Sequence, residues 1–289
     1  MAKWTADQMP SMNGKTVVIT GAGGGLGLLA TRELGRAGAH VVLAVRNIPK
    51  AQRAVAGMRG DFEFRELDVS DMDSVRSFAQ DYTGNIDVLL NNAGVANIEP
   101  ARTAQGLNLE MATNYFGPFL LTNLLLPQLT DRVVMVSSQL HRFGRLKIDD
   151  LDWRTRKHNG LAVYEASKLA VVLFSLELQR RLTASGSRIR SVVAHPGVAR
   201  TGLNSHSWLR VVDKMPFLVQ DAEPGVLPLL YAATQDVPGN AYVGPDGLFS
   251  FTGYPLIRKP SRTAQDPALA KRLWEASVAL TGLHVSIGR

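Results

Sequence analysis

Six short runs rich in β-branched residues recur along the chain: KTVVIT (15–20), HVVLAV (40–45), DFEFRELD (61–68), IDVLLNNAG (86–94), DRVVMVSS (131–138) and RIRSVVAHPG (188–197). Each reads as a strand. Between them lie helix-length segments such as LGLLATRELGRAG, DMDSVRSFAQDY, GLNLEMATNYFGPFLLTNLLLPQL and VYEASKLAVVLFSLELQRRL. Such alternation predicts parallel strands joined by right-handed helical crossovers. Several runs are almost continuously apolar, as strands are when helices cover both faces of their sheet.

The expected fold is therefore α/β, a Rossmann-like doubly wound parallel sheet with helices on both faces. No repeat, low-complexity tract or linker divides the 289 residues, so one domain is expected over 1–289, with a core at about 14–250. The stretch at about 200–225 mixes Gly, Ser, Trp and Pro and interrupts the alternation before AEPGVLPLLYAAT restores a helix; it is expected to be a substrate lid. The closing SRTAQDPALAKRLWEASVALTG, in an extension over 251–289, is helix-like and carries no recognised motif.

The composition, 45% hydrophobic and 20% charged, is that of an ordinary soluble protein. The absence of cysteine excludes disulfides, thiolate nucleophiles and cysteine metal sites, and the six histidines show no ligand spacing, so no metal is expected. A formal net charge of +7 favours anionic small molecules, but the basic residues are scattered in twos and threes, and neither nucleic acid nor an integral membrane association is expected. No apolar run approaches the roughly 20 residues of a spanning helix, and a cytoplasmic protein is expected.

The stretch VVITGAGGGLGLLATREL puts Gly21, Gly23, Gly24, Gly25 and Gly27, with Leu26 among them, at a strand-to-helix junction. Missing side chains there let backbone amides approach a pyrophosphate, and a helix N-terminus favours its charge. A dinucleotide site of this kind usually carries an acid at the end of the second strand for the ribose hydroxyls of NAD. Here VVLAVRNIPK offers Arg46 and Asn47, with Lys50 nearby. A guanidinium pairs well with a 2′-phosphate, so NADP(H) is the preferred cofactor and NAD(H) the second choice; the competing reading of Arg46 is an exposed loop residue. Asp68, followed by Val69 at the end of the third run, is placed to accept from an adenine amino group or to cap a helix.

Tyr164 and Lys168 of YEASK are four residues apart, so on a helix their side chains share a face. With the glycine loop, NNAG after the fourth strand, Asn114, VSS after the fifth strand and YEASK in this order, the chain resembles the short-chain dehydrogenase/reductase superfamily over roughly residues 14–250. Within it, LAVRNIPKA, NYFGPFLLTNLLLPQL, SSQLHRFG, SKLAVVLFSLELQRRL, HPGVARTGL and YVGPDG are similar to the retinol dehydrogenase and WW-domain oxidoreductase subgroup.

The resemblance implies a catalytic set of Asn114, Ser138, Tyr164 and Lys168. Ser138 is taken over Ser137 because it holds the motif position. Tyr164 would be the acid/base, and Lys168 its tuner and a ribose ligand. Ser138 would bind the carbonyl oxygen, and Asn114 would anchor a water by breaking the regularity of its helix. Asn91, Ala93 and Gly94 would line the adenosine ribose through their backbones, while Pro196 and Gly197 would turn Val198 and Thr201 toward the nicotinamide carboxamide. The implied activity is NADP(H)-dependent interconversion of an aldehyde or ketone with an alcohol; the rival is a non-catalytic NADP(H)-binding redox sensor of the same fold. Pocket walls expected from Val95, Ala96, the stretch Gln139 to Phe143 and the lid (Leu203, Trp208, Leu209, Met215, Phe217) are mostly apolar and suggest a bulky lipophilic substrate. LAVVLFSLEL, apolar on almost every side, suggests a homo-oligomer, dimer or tetramer; the alternative is burial under the chain's own C-terminal segment.

Overall fold

The computed structural model describes residues 3–198 and 221–283. Six strands stand where the β-branched runs predict them: β1 Thr16–Thr20, β2 His40–Val45, β3 Asp61–Glu66, β4 Ile86–Asn91, β5 Leu129–Val136 and β6 Arg190–Ala194. Two more follow, β7 Tyr242–Pro245 and β8 Pro255–Arg258. The sheet order is β3-β2-β1-β4-β5-β6-β7-β8. All neighbouring pairs up to β7 are parallel, and β8 runs antiparallel to β7. The expected doubly wound parallel sheet thus carries one antiparallel strand at that edge. Residues 246–254 are too few for a crossover helix, and a short connection can join only antiparallel neighbours.

The eight α-helices among the described residues are α1 Gly25–Arg36, α2 Ile48–Val55, α3 Met72–Asp81, α4 Leu109–Met111, α5 Gly117–Leu125, α6 Gly160–Ala184, α7 Ala222–Thr234 and α8 Pro267–Thr281. Successive strand side chains point to opposite faces, and two cores result. Val17 and Ile19 of β1 join Leu26, Ala30 and Leu34 of α1 and Leu229 of α7. Val18 between them joins the opposite core, with Phe78 of α3, Leu120 of α5 and Leu173 of α6. Most of the expected lid, with Thr201, Leu203, Trp208, Leu209, Met215 and Phe217, lies outside the described residues, and its final part begins α7.

The apolar circumference of α6 is covered from within the chain. Trp274 of α8 meets Phe119 of α5 edge-on, ring centroids 5.2 Å apart, and Phe174 of α6 at 5.6 Å. Arg181 of α6 lies over the same indole at 4.1 Å, and the Ser277 hydroxyl of α8 pairs with Tyr115 at 2.7 Å. The surface that suggested association in the sequence thus finds its partner in α8. No helix among the described residues is long and apolar enough to cross a membrane.

Candidate active site

The strand runs overshoot their strands. NAG after β4, SS after β5 and HPG after β6 leave the sheet as loops at its C-terminal edge, where doubly wound sheets bind their ligands.

Gly21 and Gly25 turn the chain from β1 into α1 with φ of +68° and +52°, the left-handed region that side chains disfavour. A Cβ on Gly27 would lie 2.5 Å from the Gly21 carbonyl oxygen and 2.6 Å from Asn92 Nδ2, so glycine is required for close helix packing. Gly24, the N-cap of α1, receives no side-chain cap, and a Cβ there would meet nothing within 4 Å. Uncapped amides at a helix start that face open space fit a pyrophosphate. A Cβ on Gly23 would instead lie 3.5 Å from Ala51 of α2, and Leu26 is buried in the core.

The loop after β4 is tied to this turn by Asn92, which the sequence reading passed over. Its Nδ2 donates to the Thr20 carbonyl at 2.9 Å, while Thr20 Oγ1 accepts from the N–H groups of Asn92 and Ala93 at 3.0 Å each. Asn91 points its side chain under the sheet and donates to Thr122 Oγ1 at 2.9 Å.

Arg46 ends β2 exposed, its Nη1 3.9 Å from Asp68 Oδ2. Asp68 Oδ1 is engaged by the N–H and hydroxyl of Ser70 at 2.9 and 2.6 Å. Asn47 caps α2, accepting from the Lys50 N–H at 2.8 Å; the Lys50 side chain is exposed. Val69 is buried, and its carbonyl would lie 1.7 Å from a Cβ on Gly117, where α5 begins. Arg46 is therefore the cation at the end of β2, whereas Asn47 holds a helix.

Asn159 caps α6, accepting from the Ala162 N–H at 3.0 Å, and starts the helix that carries Tyr164 and Lys168. Lys168 Nζ donates to the Val136 carbonyl of β5 at 3.0 Å and stands 5.6 Å from the centroid of the Tyr164 ring. Burial pulls Lys168 down to about 8, against the raising charge of Glu110. Burial pushes the Tyr164 phenol up to about 12; the Ser138 hydroxyl, its hydrogen-bond partner, pulls it down and Glu110 pushes it up. The Lys168 ammonium lies over the ring face, and in this arrangement burial sets the direction of the Tyr164 shift.

Of the two serines after β5, Ser137 is buried and donates to the Lys168 carbonyl at 2.9 Å. Ser138 is the one that reaches Tyr164. The helix around Asn114 is irregular, as expected: Ala112–Phe116 forms a π turn between α4 and α5, the kind of bulge that marks functional helices. The Asn114 amide is held by the loop after β4 and by Ser167 Oγ, at 3.0 Å. A Cβ on Gly94 would lie 3.2 Å from Asn114 Oδ1 and 3.5 Å from Lys168 Nζ, so that loop lies against the site.

After β6, Gly197 takes φ +71°, and its Cβ would lie 2.2 Å from the Phe251 carbonyl; Val198 donates to that carbonyl at 2.8 Å. Pro196 precedes this turn, which leads toward Thr201, outside the described residues. His195 packs stacked on Tyr242 with centroids 5.1 Å apart, and its Nδ1 accepts from the Gly197 N–H at 3.3 Å. Glu110, one helical turn before Asn114 and 1% exposed, is, with Asn92, a site residue that sequence reasoning missed.

A glycine cradle, an open helix start and a Tyr–Lys pair with its lysine buried beside a serine hydroxyl, all at one edge of a doubly wound sheet, define a nicotinamide-dinucleotide oxidoreductase. The family model of the short chain dehydrogenases matches residues 15–150. Retinol dehydrogenase 13 of Homo sapiens is 37% identical, over 94% of this chain and 86% of its own length. Polyprenol dehydrogenase of Mus musculus is 35% identical, over 95% and 86%. The crystal structure of an uncharacterized protein from Mycobacterium Paratuberculosis superposes with a TM-score of 0.87 at 46% identity, covering 97% of this chain and 98% of that one. The chain belongs to the short-chain dehydrogenase/reductase family and is retinol dehydrogenase-like, an oxidoreductase of alcohol and carbonyl groups.

Proposed function

We propose that the protein is an NADP(H)-dependent oxidoreductase interconverting a bulky lipophilic alcohol with its aldehyde or ketone. The observation that carries the reading is Tyr164 held between the Ser138 hydroxyl and Lys168 at the edge of the sheet that also presents the glycine cradle. The preference for NADP(H) rests on Arg46, exposed at the end of β2 where an acid would favour NAD(H). The lipophilic substrate class is supported by the relatives that act on retinol and polyprenol, and by Val95 and Ala96 on the loop beside Lys168.

The bound nicotinamide supplies the hydride in reduction and takes it in oxidation. Ser138 donates a hydrogen bond to the carbonyl oxygen. Tyr164 gives that oxygen its proton as the carbon gains hydride, and in oxidation the phenolate takes the proton back. Lys168, cationic, stabilises the phenolate by proximity and binds the cofactor's ribose. Asn114 fixes the loop against which these groups close.

NADPH oxidation across a panel setting retinal and citral against glyceraldehyde and pyruvate tests the proposal. Faster turnover of the polar compounds would overturn the substrate class. Tyr164→Phe should bind NADPH normally and lose about 10² to 10⁴ in rate; full activity would remove Tyr164 from the mechanism. Cofactor binding without turnover of any carbonyl would leave the redox sensor as the better reading.

A further inference from the structure

Glu110 is buried on α4 at a cost that its packing does not remove. Its Oε1 accepts from the Asn97 N–H at 2.8 Å, the Ile98 N–H also faces the carboxylate, and Oε2 has no hydrogen-bond partner. A buried, unpartnered polar oxygen costs on the order of 1–3 kcal/mol, more when charged. A glutamine would hold Asn97 equally well, so anchoring alone does not account for an acid at this position.

Among the described residues, the titratable groups coupled to it by charge, Lys168 and Tyr164, come from α6. Lys168 pulls the Glu110 carboxyl down, against burial that raises it to about 7, and Glu110 in turn raises both Lys168 and Tyr164. On its own helix Glu110 stands one turn before Asn114. The two residues hold the loop after β4 at consecutive points, Asn97 and Val95, and Gly94 of that loop lies beside Lys168 Nζ.

We propose that Glu110 is a positioning residue for the alcohol–carbonyl reaction: it anchors the loop after β4 through Asn97 and by its charge keeps Lys168 cationic and Tyr164 a proton donor. This rests on the reading of Tyr164 and Lys168 given above. Buried Lys168 would otherwise shed its proton near neutrality, and with it the charge that stabilises phenolate. As pH rises through about 7, Glu110 ionises and both partners keep their protons to higher pH.

The test is the pH dependence of kcat/KM for retinol oxidation and retinal reduction in the wild type, Glu110→Gln and Glu110→Asp, with Tyr164→Phe as control. Glu110→Gln keeps the acceptor for Asn97 and removes the charge; both limbs of its profile should move to lower pH by roughly one unit. Glu110→Asp keeps the charge, so its limbs should coincide with those of the wild type even where its amplitude falls. A purely structural role would lower the amplitude of Glu110→Gln and leave its limbs in place, and that result overturns the proposal. If Glu110→Gln does not fold, Glu110→Asp decides, since displaced limbs there overturn it as well. Full activity in Tyr164→Phe would instead overturn the underlying reading of the site.

Discussion

Asn114 and Val95 exchange two hydrogen bonds: the amide oxygen accepts from the Val95 N–H at 2.8 Å, and the amide nitrogen donates to the Val95 carbonyl at 2.9 Å. One side chain thereby satisfies both backbone groups of a loop residue that no strand can pair. Asn114→Ala leaves those groups without a protein partner and should cost about 2–3 kcal/mol, with turnover reduced even where the variant remains folded. Urea unfolding and kcat at a permissive temperature check this, and wild-type stability in the variant would contradict it.

Arg46→Asp should reverse the cofactor preference, because an acid at the end of β2 repels a 2′-phosphate and accepts from ribose hydroxyls. Fluorescence titration with NADPH and NADH measures it. A wild-type protein that binds NADH as tightly as NADPH would end the argument from Arg46.

Trp274→Ala opens the cover over Phe119 and Phe174, and a truncation of this size in a core costs about 3–5 kcal/mol. Since α8 covers the apolar face of α6, we expect light scattering to give the mass of one chain for the wild type and self-association for the variant. A wild-type mass of two or four chains would show that a different surface associates.

Asp150 ties the loop before α6 together. Burial raises its carboxyl, but Thr155, the Arg154 N–H and Arg156 outweigh it and hold Asp150 down to about 2. A lowered acid contributes stability that is present above its ordinary value near 3.8 and is lost as pH falls through about 2. Asp150→Asn should therefore be less stable than the wild type at neutral pH, with the difference shrinking as pH falls from about 4 to 2. Thermal melts across that range test it; a constant difference would refute the assignment.

The sheet from β1 to β6 was legible because buried parallel strands need continuous β-branched runs, and HVVLAV or DRVVMV can satisfy little else. β7 and β8 were not: four residues each, the first with Gly and Pro and the second starting on Pro, they carry no periodic signal, and their pairing depends on β6 being there first. Tyr164 and Lys168 could be paired because their spacing is local, whereas Ser138 was named only through the family resemblance that gives it its motif position. Glu110 could not, since NLEMATN shows only an acid one turn before Asn114, and its burial arises from the packing of α4 on α6. Likewise LAVVLFSLEL announces a hidden surface but cannot choose between a second chain and the chain's own C-terminal segment as its cover. The answer was Trp274, about a hundred positions later in the chain.

That separation has a consequence during synthesis. Roughly 80 residues lie between the end of α6 and the start of α8, and at about 5–20 residues per second the ribosome needs several seconds to deliver them. Throughout that interval Phe119 and Phe174 wait without their indole, so the nascent chain presents an adhesive apolar face that closes only when α8 emerges.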